Sequence, residues 1–345
     1  MVKDKKGTEP IEPKVSHRGK PLKSVWLDVP PDLKYPFYEP DEWSKAFGHI
    51  PVMPNETTVA LDVKPRGFYV DLTMGGGGHS RMILSQLGPK GRLLALDRDP
   101  EAVRWASIWA HGDRRLILKR ANFSRLDEIL EELNLGLPDG LLADLGLSSR
   151  QILGPGRGFS WLRDEPLDMR MDPESGLTAY DIVNEWPEDK LIELIRYKAE
   201  ERSSVRLTKT IMNHRARKPL ETTGELADLV GKVLWRTGHH ARSNLATKVF
   251  MGLRLVVNQE MEALDALLKK AHGCLKPGGR MVVISFHSLE DRQVKRTFGS
   301  LAGKKYWEAL YKKPVQPTRT EVAENRKARS AKLRAARRLE PAKKS

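Results

Sequence analysis

Between Gly67 and Gly146 short apolar runs alternate with helical periods: GFYVDL, SRMILSQL, GRLLALD, PEAVRWASIWA, RLILKR, SRLDEILEEL and DGLLADLG. Strands that alternate with helices in this way pair in parallel and carry helices on both faces of one sheet. The sequence therefore predicts an α/β fold with a largely parallel, Rossmann-like sheet. The alternation stops at Gly154 and resumes after a long helical segment with the turn KPGG and the apolar strand RMVVISF.

The first strand-to-helix junction, FYVDLTMGGGGHSRMIL, holds four consecutive glycines. Such a turn lets a ligand approach the backbone and use the free N–H groups of the helix start. Asp97 ends the next strand about 20 residues later, where doubly wound folds hold a ribose by its hydroxyls. A dinucleotide fingerprint wants a third Gly or Ala where Ser80 stands, and a phosphate loop wants Gly-Lys-Ser/Thr, which is absent. The set favours a nucleoside cofactor without phosphate, such as S-adenosylmethionine, over a nicotinamide dinucleotide. LKPGGRMVVIS, Leu275 to Ser285, closes a helix and opens a late strand as many class I methyltransferases do.

The predicted organisation has four parts. Residues 1–48 form a partly disordered extension, and 49–153 with 244–311 form the core. Residues 154–243, with a Gly/Arg-rich loop and amphipathic segments, form an inserted helical domain, and 312–345 form a basic tail. The net charge of +15 and pI near 9.8 suit a polyanionic partner. No run is apolar enough to span a membrane, and the N-terminus lacks a secretory pattern. The one cysteine, Cys274, excludes internal disulfides and multi-cysteine zinc sites, and no metal is expected.

Further motifs follow in order: HIPVM (His49 to Met53), GGHSR, LDRDP (Leu96 to Pro100), DLGLSSRQ (Asp144 to Gln151), GRGFSWLRDEPLDMRMDP (Gly156 to Pro173), ISFHSLEDRQVKR (Ile284 to Arg296) and ENRKARSAKLR (Glu324 to Arg334). In these the chain resembles the RsmH/MraW family, S-adenosylmethionine-dependent methyltransferases that modify N4 of a cytidine in the decoding region of small-subunit ribosomal RNA. The resemblance implies a cofactor site of Gly77, Gly78, His79, Asp97, Phe123, Asp144 and Gln151. Its partner would be small-subunit ribosomal RNA or the assembling small subunit. The location would be bacterial cytoplasm, with an organellar matrix as the alternative that the N-terminal extension leaves open. Oligomeric state stays open, a homodimer included.

Cytosine N4 is a poor nucleophile because its lone pair is delocalised into the ring, so positioning and hydrogen bonds from the amino group carry the catalysis. Asp144, at a strand end, is the expected acceptor and catalytic residue. Methylation at C5 needs a cysteine nucleophile, and Cys274 reads as a small buried residue. RNA contacts are expected from Arg157, Arg163, Arg170, His287 and Arg292, and from Arg326, Lys327, Arg329, Lys332 and Arg334, with Phe159 and Trp161 for stacking. The target base must be unpaired or flipped. The chain departs from the family where HPATRTFQALRI reads NLATKVFMGLRL, changing Asn244, Leu245, Lys248 and Met251. It departs again where YGEER reads YKAEER, around Lys198 and Ala199. A non-catalytic assembly factor on the same fold is the rival reading, and a nicotinamide oxidoreductase the more distant one.

Overall fold

The computed structural model describes residues 50–235, 242–299 and 306–340. The expected extension, 1–48, lies outside them, as do the side chains of Asn244 and Leu245.

One sheet of seven strands organises the chain, in the order β3-β2-β1-β4-β5-β7-β6. Strands β1 (Phe68–Asp71), β2 (Arg92–Asp97), β3 (Leu116–Arg120), β4 (Gly140–Asp144) and β5 (Arg280–Ser285) are parallel neighbours. Every residue of β1 is buried, as a central parallel strand covered on both faces requires. Tyr69 is tolerated there because its hydroxyl accepts from Lys64 N–H at 2.7 Å and donates to the Asp62 carbonyl. Gly67 and Gly140 leave room for its ring.

Helices α1 (Pro54–Leu61), α2 (Gly78–Gln86), α3 (Pro100–Trp109), α4 (Leu126–Glu132) and α5 (Ser149–Leu153) flank or join these strands. Asp99 caps α3, accepting from Glu101 N–H with Pro100 in the first turn. Helices α6 (Ala179–Glu185), α7 (Glu188–Glu193), α8 (Ser204–Arg215), α9 (Thr223–Trp235) and α10 (Arg242–Val257) follow, then α11 (Glu260–Lys270), α12 (Ser288–Gly299) and α13 (Arg319–Glu324).

The two faces of the sheet carry separate apolar clusters, and a further cluster runs from Phe159 to Val257 through α6–α10. Helix α10, which sequence assigns to the core, turns Ala246, Val249, Phe250, Leu253 and Val257 into that helical cluster. A π-helical turn, Leu194–Lys198, falls where YKAEER holds its extra residue, the usual way a helix absorbs one.

The stretch read as a basic tail is not a tail over 332–338. It forms β7 (Lys332–Arg338), antiparallel to β5 and to β6 (Trp307–Ala309). Leu333, Ala335 and Ala336 are buried, while Arg334 and Lys332 both bind Asp291 on α12, at 2.7 and 3.2 Å. Burial opposes ionisation of Asp291, yet these two cations hold its carboxyl below the usual range.

Candidate functional site

The order of the parallel strands changes sense between β1 and β4, and a cavity of about 290 Å³ lies over the carboxyl ends of β1, β2, β4 and β5. That is where open parallel sheets bind ligands, and the volume is at the lower edge of small-molecule sites. Its lining includes Gly75, Gly78, His79, Asp97, Phe123, Asp144, Gln151, Phe286 and Lys327.

The glycine loop divides into two roles. Gly75 and Gly77 have φ of +52° and +84°, the left-handed region that glycine enters without strain. Asp97 accepts from Gly75 N–H at 2.8 Å and from Asp99 N–H at 2.8 Å, so the ribose-type carboxylate and the loop brace each other. Burial and the neighbouring Asp99 and Asp71 carboxylates push Asp97 up to about 6 despite these two bonds. Gly77, expected to contact the cofactor, does not line the cavity. A Cβ there would lie 2.7 Å from Cε2 of Trp109 on α3, so packing against Trp109 demands the glycine. Gly78 and His79 do line it, and a Cβ on Gly78 would meet Pro51 at 3.0 Å.

Asp71 anchors the start of α2 through a 2.6 Å hydrogen bond from Ser80. Ser80, which breaks the dinucleotide pattern, is thus part of the loop's own frame. Phe123 follows β3 in a short 3₁₀ turn and packs partly against the core, leaving an aromatic face at the cavity. Gln151 closes a capping box with Ser148 on α5 and donates to Asp99 at 3.0 Å. Asp99 therefore links the α3 start, Gln151 and Arg157.

Asp144 ends β4, its N–H donating to Thr73 Oγ1 at 2.6 Å. One carboxylate oxygen lies 3.5 Å from His79 Nε2, while the other makes no hydrogen bond among the described residues. Burial disfavours the imidazolium, but Asp144, Asp71 and Glu321 outweigh it and raise the His79 pKa. From the segment before β7 come two groups. Glu321, pushed up to about 7 mainly by burial, accepts from Met53 N–H at 2.6 Å. Lys327 is brought down to about 8 by partial burial of its ammonium against the opposing pull of Asp144. The sequence places Lys327 among tail contacts to RNA and gives no sign of Glu321; a cluster of tail cations carries no signal that one of them enters a cavity.

The other expected substrate residues are held elsewhere. Arg157 binds Asp99 at 3.0 Å and the carbonyls of Arg170 and Met171, and Arg170 grips Asp168 through both its Nε and Nη2. Asn258 at the end of α10 ties down the same loop through Met169 and Met171. The LDMRMDP motif thus buttresses the cofactor side of the cavity. His287 pairs with buried Glu290 at 3.1 Å, and Arg292 meets Glu200 at 3.3 Å. None of these four lines the cavity. Cys274 is buried in the sheet's core with its thiol pushed up to about 11, unsuited to attack on a base.

The residues fit a nucleoside cofactor without phosphate: an acid on β2, an aromatic after β3, and a glycine loop without the Gly-Lys-Ser/Thr of a phosphate loop. With β7 antiparallel between β5 and β6, the sheet and site define a class I methyltransferase. The model of the MraW methylase family matches residues 46–339, and the chain belongs to that family. S-adenosylmethionine is its cofactor.

Solved structures similar to the chain include an rRNA methylase from Streptococcus thermophilus, 11% identical, covering 89% of this chain and 100% of that one, TM-score 0.40. An S-adenosylmethionine-dependent O-methyltransferase from Thermotoga maritima is 12% identical, covering 86% and 69%, TM-score 0.39. Aeropyrum pernix fibrillarin, solved with S-adenosyl-L-methionine, is 14% identical, covering 82% and 71%, TM-score 0.35.

Proposed function

We propose that the protein methylates N4 of a cytidine in the decoding region of small-subunit ribosomal RNA. The observation that carries this reading is Asp144. It is a carboxylate on the cavity wall with one oxygen left without a hydrogen bond among the described residues, and His79 Nε2 lies 3.5 Å from the other. A base-edge amino group offers the donor that this oxygen lacks.

The cofactor, when bound, supplies a methyl group on a cationic sulfur. Gly75, Gly78 and Phe123 line its side of the cavity, and Asp97 is placed to accept from the ribose hydroxyls. Asp144 accepts a hydrogen bond from the exocyclic amino group, turning the nitrogen lone pair away from the ring and toward the methyl group. After transfer the methylated ammonium is acidic, and Asp144 takes its proton or passes it to water. Lys327 shares the cavity as a donor beside this acceptor. Cytosine shows a donor at N4 next to an acceptor at N3, the complement of such a pair, whereas uracil reverses both. Phe286, also lining the cavity, offers an apolar surface to an extruded base.

The test is methyl transfer from labelled S-adenosylmethionine to small-subunit particles and to naked RNA, with the product nucleoside identified by mass spectrometry. N4-methylcytidine from the wild type, reduced at least about a hundredfold in Asp144→Ala with cofactor affinity retained, is the expected outcome. Cofactor binding without transfer to either substrate would leave the assembly-factor reading instead.

A further inference from the structure

One run of exposed cations without acidic partners lies on and around α8. From Arg202 to Leu220 the chain holds six cations and no acidic residue. Four of them, Arg202, Arg206, Lys209 and Arg217, are exposed, and their side chains make no ion pair or hydrogen bond among the described residues. At 100° per residue Arg206, Lys209 and Asn213 fall within one narrow stripe along α8, with Arg202 and Arg217 in the turns at its two ends. The opposite side of α8 is buried: Leu207 and Ile211 enter the helical cluster and Thr208 is buried beside them, so the stripe is fixed toward solvent. Nearby acids are engaged by other partners, Glu200 with Arg292, Glu201 with Lys248 and Glu225 with Lys218.

Like charges at three- and four-residue spacing destabilise an isolated helix. A face of this kind without a compensating acid matches a run of anions. The helix spans about 18 Å, a length that serves a polymer better than a single ion. Its starting point bears on which polymer. Glu200, two residues before Arg202, accepts from Ser288 and Arg292 on α12, and Ser288 stands two residues after Phe286 of the cavity. Arg196 donates to Ser204 at 3.3 Å, fastening the π-helical turn to the helix start, and the ring of Tyr197 in that turn is 60% exposed. One end of the run is therefore tied, through Glu200, to the start of α12 just past Phe286 of the cavity, with Tyr197 in the turn before it.

We propose that Arg202, Arg206, Lys209 and Arg217 bind the phosphate backbone of the RNA that flanks the methylated nucleotide. The inference rests on RNA being the substrate and gives it a track leading away from the site. An acidic segment of a ribosomal protein is the competing occupant; the exposed Tyr197 and the tie from Glu200 to the helix that follows Phe286 favour RNA.

The experiment compares the full chain with a triple variant, Arg202→Gln, Arg206→Gln, Lys209→Gln, in binding naked small-subunit RNA across salt concentrations. Each phosphate contact contributes about 0.7–0.9 to the slope of log affinity against log salt, so the slope is expected to fall by about 2 to 3. Affinity at low salt should fall about tenfold or more. Cofactor affinity and the rate at saturating RNA should stay within about twofold, which also reports that the variant is folded. Arg206→Lys, retaining the charge, should keep the slope. An unchanged slope in a folded triple variant overturns the proposal. So does lost affinity for particles with none lost for naked RNA, which would assign the face to a protein. If the wild type binds RNA with this salt dependence yet never methylates it, the proposed reaction fails while the surface stands.

Discussion

Replacing Gly77 with alanine separates what the glycine loop does for the ligand from what it does for the fold. Two penalties follow from the geometry. The φ of +84° places a side chain in the left-handed region, costing roughly 1–2 kcal/mol. The new Cβ would stand 2.7 Å from Cε2 of Trp109, and overpacking of this kind costs roughly 1–3 kcal/mol. Gly77→Ala should thus destabilise the protein by about 2–5 kcal/mol, a large share of a typical total of about 5–15. Trp109→Ala removes the clash and leaves the strain, so the double variant should recover about 1–3 kcal/mol relative to additivity. Denaturant midpoints at constant m-value read the stabilities, and titration with S-adenosylmethionine reads the affinity. Stability within about 0.5 kcal/mol of wild type, with cofactor binding lost, would refute the packing argument and return Gly77 to the ligand. Gly78, which lines the cavity and has no positive φ, should show the opposite balance when changed to alanine.

Asp97 predicts a pH dependence. A carboxyl raised from 3.8 to about 6 gives the fold stability that is fully present below pH 3.8 and lost as pH rises through 6. Ribose hydroxyls prefer the ionised form, so the cofactor dissociation constant should rise toward tenfold per unit below pH 6, and Asp97→Asn should flatten the curve. A wild-type constant unchanged down to pH 5 would count against Asp97 as the ribose acceptor. Lys327→Met should lower kcat/KM for RNA by roughly tenfold to a hundredfold, the worth of a charged hydrogen bond. Lys327→Arg should restore most of it, and cofactor affinity should not move. Equal kcat/KM in Lys327→Met would remove the lysine from base recognition.

The parallel strands were legible because each is a short apolar run bounded by turn residues, and burial on both faces leaves such runs little choice. The cavity's carboxylates were legible for a related reason: Asp97 and Asp144 end those strands, so finding the strands places the acids. β7 was not. In KLRAARR the buried residues are small and the cations dominate the composition, so the segment reads as a solvated run until Asp291 is seen to neutralise two of them. The arginines of LDMRMDP misled for the converse reason. A sequence shows a guanidinium but not the carboxylate and carbonyls that occupy it, and Arg157 and Arg170 are spent on the protein's own frame. The run of charges along α8 and its flanking turns had a visible amphipathic period, but its lack of paired acids required the fold.

The antiparallel β7 also sets a schedule. Its predecessor segment carries Lys327 to the cavity and ties Met53 down through Glu321, while β7 itself covers the flank of β5. During synthesis the glycine loop, Asp97 and Asp144 leave the ribosome early, but the catalytic chamber has no finished wall until the chain has been extended through Arg338. A nascent chain can therefore hold the glycine loop, Asp97 and Asp144 and still lack a closed cavity.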